Sequence, residues 1–217
     1  MKSSARLATT PDMSPTRVFL LSPARCDGAR AKMLFNANAT FDLARRVREP
    51  DGAPLGEVFS FLSGLYFRGK LTYARTFATR PRRVAPVQVI TTSRGLLTPD
   101  SRVTLGDLVE FASVDIGAGV ERYLAPLRRD IEELARGLPK SATVVLLGSI
   151  ATGKYVDTLA ATFGDRVVFP AEFVGRGDMS RGGLLLRRAR EGVELDYIPV
   201  AGAVRKGKRP PKLERMR

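Results

Sequence analysis

Residues 142–157, ATVVLLGSIATGKYVD, combine a glycine-rich turn with a cation, a pattern suited to holding an anion. The four consecutive apolar residues Val144–Leu147 predict a strand buried on both faces, and Gly148 begins the turn that follows it. Apolar residues at helical spacing after Lys154 predict a helix that Gly164 ends. Backbone N–H groups at a helix N-terminus lack intrahelical acceptors and attract negative charge. We therefore predict a phosphate site formed by Gly148, Thr152, Gly153 and Lys154.

The same spacing fits the nucleotide-binding pattern G-x-x-x-x-G-K-[ST], apart from its last position. Tyr155 stands where a Ser or Thr hydroxyl would hold magnesium. This difference favours a smaller phosphate-, sugar- or base-bearing ligand, with NTP binding as a lesser alternative. A tight turn with an exposed lysine and no ligand is the structural alternative.

A second polar segment, residues 170–183, contains four glycines, two arginines, two acids and a serine after an apolar run. A simple connection does not require so many polar and conformationally special residues in so short a span. We predict a loop in which Glu172 and Asp178 act as acid or base. In the same loop, Arg176 and Arg181 would bind anions through bidentate hydrogen bonds.

Two further loops follow predicted strands. Ser22 comes directly after the strand predicted at residues 17–21, Thr92 ends the strand predicted at residues 87–92, and Arg94 lies just beyond it. Ligands of open α/β sheets bind beyond the carboxyl ends of the strands, so these three residues are predicted to contact a ligand. Cys26 in the first loop has two interpretations, a reactive thiol or a small half-buried residue; we favour the second.

These loops require a sheet to bring them together. Strands alternate with amphipathic segments, including a helix predicted over residues 120–136, and residues 195–200 resemble an edge strand because Pro199 cannot donate to a ladder. The pattern predicts an α/β protein: a single-domain three-layer sandwich with a mostly parallel central sheet. The expected organisation is a flexible leader at 1–16, the α/β domain at 17–204 and a basic disordered tail at 205–217.

The net charge of +14 is concentrated in two stretches. Residues 66–94 contain seven basic and no acidic residues, and residues 205–217 contain seven basic residues and one acid, a net +6. Clustered positive charge with interleaved aromatic residues favours nucleic acid, DNA first, or a nucleotide as partner. A basic protein without such a partner is the alternative. The predicted contacts are Tyr66, Arg68, Lys70, Tyr73, Arg82, Arg83, Arg205, Lys206, Lys208 and Arg209.

The composition also excludes several classes of site. The chain has no histidine and one cysteine, which excludes Ser-His-Asp and Cys-His catalysis and makes a zinc site improbable. We expect no metal and no cofactor. One cysteine cannot form an internal disulfide, which favours a cytoplasmic location. No apolar run approaches the ~20 residues of a membrane span, so we expect no membrane partner.

The order of several short motifs resembles a known family. LLSPARC after the first strand is similar to the LLSPA opening of the YaaA family, which is linked to peroxide stress. LYFRGKLTYA and ITTSRGLLTPD resemble related uncharacterised bacterial domains, as do VVLLGSIATGKYVDTL and VVFPAEFVGRGDMSRGGLLLR. The similarity spans roughly residues 17–187, with Arg94 where those domains are expected to carry lysine. The resemblance implies a module associated with nucleic acid or base modification.

Two classes of function follow. The first is a pocket that binds a nucleotide or a base in nucleic acid, with a nucleobase or glycosidic bond in DNA as candidate substrate, in a context of base modification, repair or defence. The second is a non-catalytic DNA- or RNA-binding protein that uses the basic patch and tail. The first requires loops distant in sequence to meet at one rim of the sheet.

Overall fold

A computed structural model describes residues 16–79, 81, 83–117, 119–151, 153–204, 207–208 and 210–211. The strands are β1 (Arg17–Leu21), β2 (Ala53–Pro54), β3 (Val87–Ile90), β4 (Leu96–Leu97), β5 (Arg102–Val103), β6 (Thr143–Leu147), β7 (Val167–Pro170) and β8 (Tyr197–Pro199). The helices are α1 (Ala29–Phe35), α2 (Asp42–Arg46), α3 (Leu55–Ser63), α4 (Leu65–Phe77), α5 (Leu105–Ala112), α6 (Glu121–Gly137), α7 (Val156–Phe163) and α8 (Asp178–Glu191). Short 3-10 turns occupy Gly164–Arg166 and Ala171–Phe173.

The main sheet has the strand order β4-β3-β1-β6-β7-β8. Strands β3, β1, β6 and β7 are parallel, while β4 and β8 are antiparallel at the two ends. The chain moves from β1 to β3 on one side and then returns to β6 on the other side. Right-handed crossovers therefore place α4 and α6 on opposite faces of the sheet. This arrangement confirms the predicted α/β class with a mostly parallel sheet, and it puts a topological switch point between β1 and β6.

The apolar patterns predicted most of these elements. Strand β1 is buried from its second residue onward, and β6 is buried in the same way, because helices cover both faces of the sheet. Strand β8 contains Pro199 and lies at the edge, as predicted. The predicted helix over 120–136 is α6, and Thr104 caps α5 through a capping box with Asp107.

Other expectations differ from the structure. Residues 170–183 are not a continuous loop, because α8 begins at Asp178 and includes Arg181 in its first turns. The predicted leader, apart from residue 16, lies outside the described residues. No helix in the described part of the chain is long and apolar enough to cross a membrane.

Helices α4 and α8 cross at a pair of glycines. A Cβ added to Gly69 on α4 would lie 2.6 Å from the carbonyl oxygen of Gly182 on α8. A Cβ added to Gly182 would lie 2.7 Å from the carbonyl oxygen of Leu65. Both distances are too short for a real side chain, so only glycine permits this separation of the helix backbones. The crossing brings residues of α4 next to the first turn of α8.

Candidate functional site

A cavity of about 730 Å³ lies at the carboxyl ends of β1 and β6, at the switch point of the sheet. Its volume is within the range of small-molecule sites, roughly 300–1,000 Å³. The loop after β1 contributes Ser22, α4 contributes Tyr66, the loop after β6 contributes Lys154 and Tyr155, and α8 contributes Asp178. Two loops and two helices that are distant in sequence therefore meet at a single rim.

Ser22 is the first residue beyond β1, and its position is set by the sheet. Its backbone N–H donates to the Leu147 carbonyl at 3.1 Å, which continues the β1–β6 ladder by one residue. Lys70, from the middle of α4, donates from Nζ to the Ser22 carbonyl oxygen at 2.6 Å and lies 2.9 Å from Ser22 Oγ. Lys70 is 1% exposed. The amine is thus held against the serine by two contacts to the same residue.

The surroundings of Lys70 are mostly apolar. Its Nζ lies 4.6 Å from the ring centroid of Tyr66 and 4.8 Å from that of Phe67. Burial lowers the pKa of Lys70 from 10.5 to about 7, because the charged ammonium is removed from water. The carboxylate of Asp178 acts in the opposite direction, and the guanidinium of Arg181 lowers the pKa further. Near neutral pH the side chain can therefore exchange a proton.

Two tyrosines line the cavity beside this pair. The Tyr66 hydroxyl is buried beside the Arg181 guanidinium and forms no hydrogen bond of normal geometry among the described residues. The Tyr155 hydroxyl donates to the Ser149 carbonyl at 3.0 Å, and burial raises the pKa of Tyr155 to about 12. A Cβ on Gly148 would lie 2.7 Å from Tyr155 Oη and 2.9 Å from Ser22 Cβ. Gly148 therefore allows the Tyr155 ring to approach the serine.

Helix α8 contributes one acidic residue, Asp178, and one basic residue, Arg181, to the surroundings of the cavity. Asp178, at the N-terminus of α8, lines the cavity and is exposed, with 69% of its side chain accessible. The Arg181 guanidinium donates twice to the Phe173 carbonyl, at 3.0 and 3.2 Å, and lies 3.7 Å from the Asp178 carboxylate. The side chain of Arg181 is 13% exposed and is not among the residues that line the cavity, so its positive potential acts from behind the cavity wall.

Glu172 and Arg176 have other partners. Glu172 lies 3.7 Å from the Arg188 guanidinium and is not among the residues that line this cavity. Arg176 donates to the Glu172 carbonyl oxygen at 3.0 Å and to Ser180 Oγ at 3.3 Å. Their contacts hold together the turn between β7 and α8. Of the two predicted acids, the structure brings only Asp178 to the cavity.

Arg94 and Thr92 point away from the cavity. Arg94 forms ion pairs with Asp107 at 2.5 Å and Glu110 at 2.6 Å on α5, and these contacts raise its pKa. It lines a different cavity of about 590 Å³. Thr92 is buried and donates to the Phe111 carbonyl at 2.8 Å. The turn after β3 leads into the antiparallel strand β4, and its side chains contact α5 instead of the cavity. Of the four loops predicted to meet, the loop after β3 is therefore the one that does not reach the cavity.

The predicted nucleic-acid residues divide into buried and exposed groups. Tyr73 is fully buried, with its hydroxyl 2.7 Å from both Tyr197 Oη and the Leu195 N–H. Lys70 and Tyr66 are buried at the cavity, so these three do not form the expected surface. Arg68 and Arg83 are exposed, as is Lys208. Several predicted contacts lie outside the described residues: Arg82, Thr152, Arg205, Lys206 and Arg209.

Sequence reasoning assigned Lys70 to the nucleic-acid contacts and missed its contact with Ser22. A signal was present, because Lys70 is four residues after Tyr66 and three before Tyr73, and these spacings share one helix face. The role of Tyr155 was also missed, although its departure from the nucleotide-binding pattern marked the position. That a residue is a tyrosine or a lysine does not predict its burial. Burial depends on which distant segment packs against the side chain.

No family model, no curated protein and no solved structure matches this chain. In the described part of the chain, no group of three or more His, Cys, Asp and Glu side chains could hold a metal ion. Fold and site together define an α/β protein with a polar cavity at its switch point, lined by Ser22 and Lys154 and backed by the buried Lys70.

Proposed function

We propose that the switch-point cavity binds a phosphate-bearing ligand, either a nucleotide or a base-bearing fragment of nucleic acid. The observation that carries this proposal is that Lys154 and Tyr66 line one cavity of about 730 Å³, with the Arg181 guanidinium close to the Tyr66 hydroxyl. Cations attract the phosphate, while Tyr66 and Tyr155, which are 6% and 5% exposed, form part of the cavity wall. The absence of any possible internal disulfide supports a cytoplasmic setting.

The buried Tyr66 hydroxyl supports a polar ligand in particular. A buried hydroxyl without a partner costs roughly 1–3 kcal/mol, and an acceptor atom on the ligand would remove that cost. Lys154 is exposed at the cavity rim, where it could approach a phosphate without losing an existing partner in the described residues. Asp178 faces the same space as the candidate acid or base for chemistry on a bound nucleobase or glycosidic bond.

Ligand binding can be tested by thermal unfolding and calorimetry with inorganic phosphate, nucleoside mono- and triphosphates and a short single-stranded oligonucleotide. A ligand at about 100 times its Kd stabilises the fold by about 2.7 kcal/mol. We expect Lys154→Ala to weaken binding about tenfold or more, since a charge-assisted hydrogen bond contributes roughly 1.5–3 kcal/mol. Lys140→Ala is the matched control, because Lys140 is exposed and precedes the amino end of β6, whereas the cavity lies at the carboxyl end of that strand.

Two results would contradict the proposal. One is that none of these ligands shifts the unfolding temperature of the wild-type protein. The other is equal affinity of Lys154→Ala and wild type for every ligand that binds. For the catalytic part, Asp178→Ala should lose activity in a defined nucleotide or DNA assay, and full activity in that variant would remove Asp178 from the chemistry.

A non-catalytic DNA- or RNA-binding role is the second candidate. It rests on the exposed Arg68 and Arg30, which line a surface cavity of about 870 Å³, together with the charge of residues 205–217. This function predicts an affinity that falls with salt with a log–log slope of about −0.9 per phosphate neutralised. Arg68→Ala should flatten the slope by about one phosphate, and salt-insensitive binding would contradict it. NTP binding of the P-loop type receives less support, because the Tyr155 hydroxyl already donates to Ser149.

A further inference from the structure

The contact between Ser22 and Lys70 has the composition of a nucleophile and its base. Lys70 Nζ lies 2.9 Å from Ser22 Oγ and 2.6 Å from the Ser22 carbonyl oxygen. A neutral amine has two N–H groups and one lone pair. One N–H can donate to the carbonyl oxygen, which fixes the amine, while the lone pair accepts the proton of the Ser22 hydroxyl. A serine is activated when a base is within hydrogen-bond reach and is itself oriented by another group.

We propose that Ser22 is a nucleophile and Lys70 its general base, and that the site acts by acyl transfer to water on esters or amides of phosphate-bearing compounds. This inference rests on the proposed function for the choice of substrate class, because Lys154 and Arg181 supply the positive potential that would hold the phosphate. The dyad itself stands on the geometry of Ser22 and Lys70.

The reaction requires only the substrate, water and a proton that moves between Ser22, Lys70 and the leaving group. Ser22 Oγ attacks the carbonyl carbon as its proton moves to Lys70, and the resulting ammonium then protonates the leaving alcohol or amine. A water molecule attacks the acyl-serine in the second half, with Lys70 again taking the proton and returning it to Ser22 Oγ. Lys154, which lines the same cavity together with Arg25 and Arg30, supplies positive charge for the negative charge that develops on the carbonyl oxygen.

The electrostatic surroundings fit this role. The groups that act on Lys70 are the Asp178 carboxylate and the Arg181 guanidinium, both from α8, and the burial of Nζ among the rings of α4. Burial is the largest of these and holds the pKa of Lys70 near 7, so the neutral amine is available at physiological pH. Tyr155 flanks Ser22 from the loop after β6, and its raised pKa keeps it protonated, so it cannot compete for the serine proton.

An alkyl fluorophosphonate tests the dyad directly. Ser22 Oγ would form an O–P bond, fluoride would leave, and the proton would pass to Lys70. We expect one adduct per chain, located on Ser22 by peptide mass spectrometry. The wild-type labelling rate should rise about tenfold per pH unit below pH ~7 and level off above it. A rate that does not change between about pH 6 and 8, or an adduct on another serine, would overturn the proposal.

Variants separate the base from the nucleophile. Ser22→Ala should abolish the adduct, and Lys70→Met should slow labelling about 100-fold or more. Ser113→Ala is the control and should label at the wild-type rate, because Ser113 follows α5 at the surface and donates to the Glu110 carbonyl. Equal rates in Lys70→Met and wild type would remove Lys70 as the base, and the wild-type pH profile decides the question if Lys70→Met does not fold.

The dyad and the proposed ligand can fail separately. Nucleotide or phosphate binding and labelling of Ser22 are both measured on the wild-type protein, in separate samples. Labelling of Ser22 without any ligand binding would retain the dyad and remove the phosphate-bearing substrate. Ligand binding without labelling of Ser22 would retain the pocket and remove the dyad.

Discussion

Replacing Lys70 by Met should change how stability depends on pH. Burial lowers the pKa of Lys70 from 10.5 to about 7 in the folded protein. Between these two values the unfolded chain holds a proton that the folded chain has released. Stability rises with pH wherever the unfolded state binds more protons, so in this window Lys70 makes the wild type more stable as pH increases. Methionine has a similar length and no proton to release, so the variant lacks this contribution.

The magnitude follows from the linkage relation. One proton is worth about 1.4 kcal/mol per pH unit, so two units inside the window give a change of about 3 kcal/mol. The free energy of unfolding of wild type minus that of Lys70→Met should therefore increase by about 2–3 kcal/mol between about pH 7.5 and 9.5. Below about pH 6 both states of the wild type carry the proton, and the difference should be constant.

Urea unfolding followed by far-UV circular dichroism measures these free energies. Subtracting the free energy of unfolding of Lys70→Met from that of the wild type at each pH cancels the contribution of groups common to both proteins. One of these groups is Cys26, whose buried thiol has a pKa raised to about 12. Lys140→Met is the control, since Lys140 is exposed, and its curve should run parallel to that of the wild type.

A difference that stays within about 0.5 kcal/mol across this range would refute the reasoning. It would mean that Lys70 remains an ammonium in the fold, held by the rings of Tyr66 and Phe67 and by Asp178. A permanently charged Lys70 could not accept the Ser22 proton. The stability measurement therefore bears on the dyad without requiring a substrate.

Further predictions concern packing, hydrogen bonding and charge. Gly182→Ala should destabilise the fold by about 2 kcal/mol or more, a fall of roughly 4–8 °C in Tm, because the new Cβ meets the backbone of α4 at 2.7 Å. Gly106→Ala, with only one atom within 4 Å at 3.7 Å, should be neutral or stabilising, and equal effects of the two would contradict the close crossing. Tyr73→Phe should cost about 1–3 kcal/mol in urea unfolding because it leaves a buried N–H unpaired, whereas Tyr66→Phe should cost much less; the reverse order would be inconsistent with the structure. Deleting residues 205–217 should flatten the salt dependence of nucleic-acid binding, and an unchanged slope would exclude the tail from that binding.

Sequence patterns alone determined the class of fold and most element positions in this protein. Four-residue apolar runs such as Val144–Leu147 are typical of strands buried on both faces, as in a parallel sheet that helices cover on each side. Local chemistry marked the ends of helices in the same way, as in the capping box of Thr104. These signals are local, so they can be recognised without knowing what lies nearby in space.

Only the tertiary structure decided which side chains form the site. Lys70 becomes a buried base because the loop after β1 covers it, and Arg94 is removed from the rim because acids on α5 bind it. The close crossing at Gly182 sets the distance from α8 to α4 and so brings Asp178 to the cavity. Burial and pairing are properties of contacts between segments distant in sequence, whereas residue type and spacing describe one segment at a time.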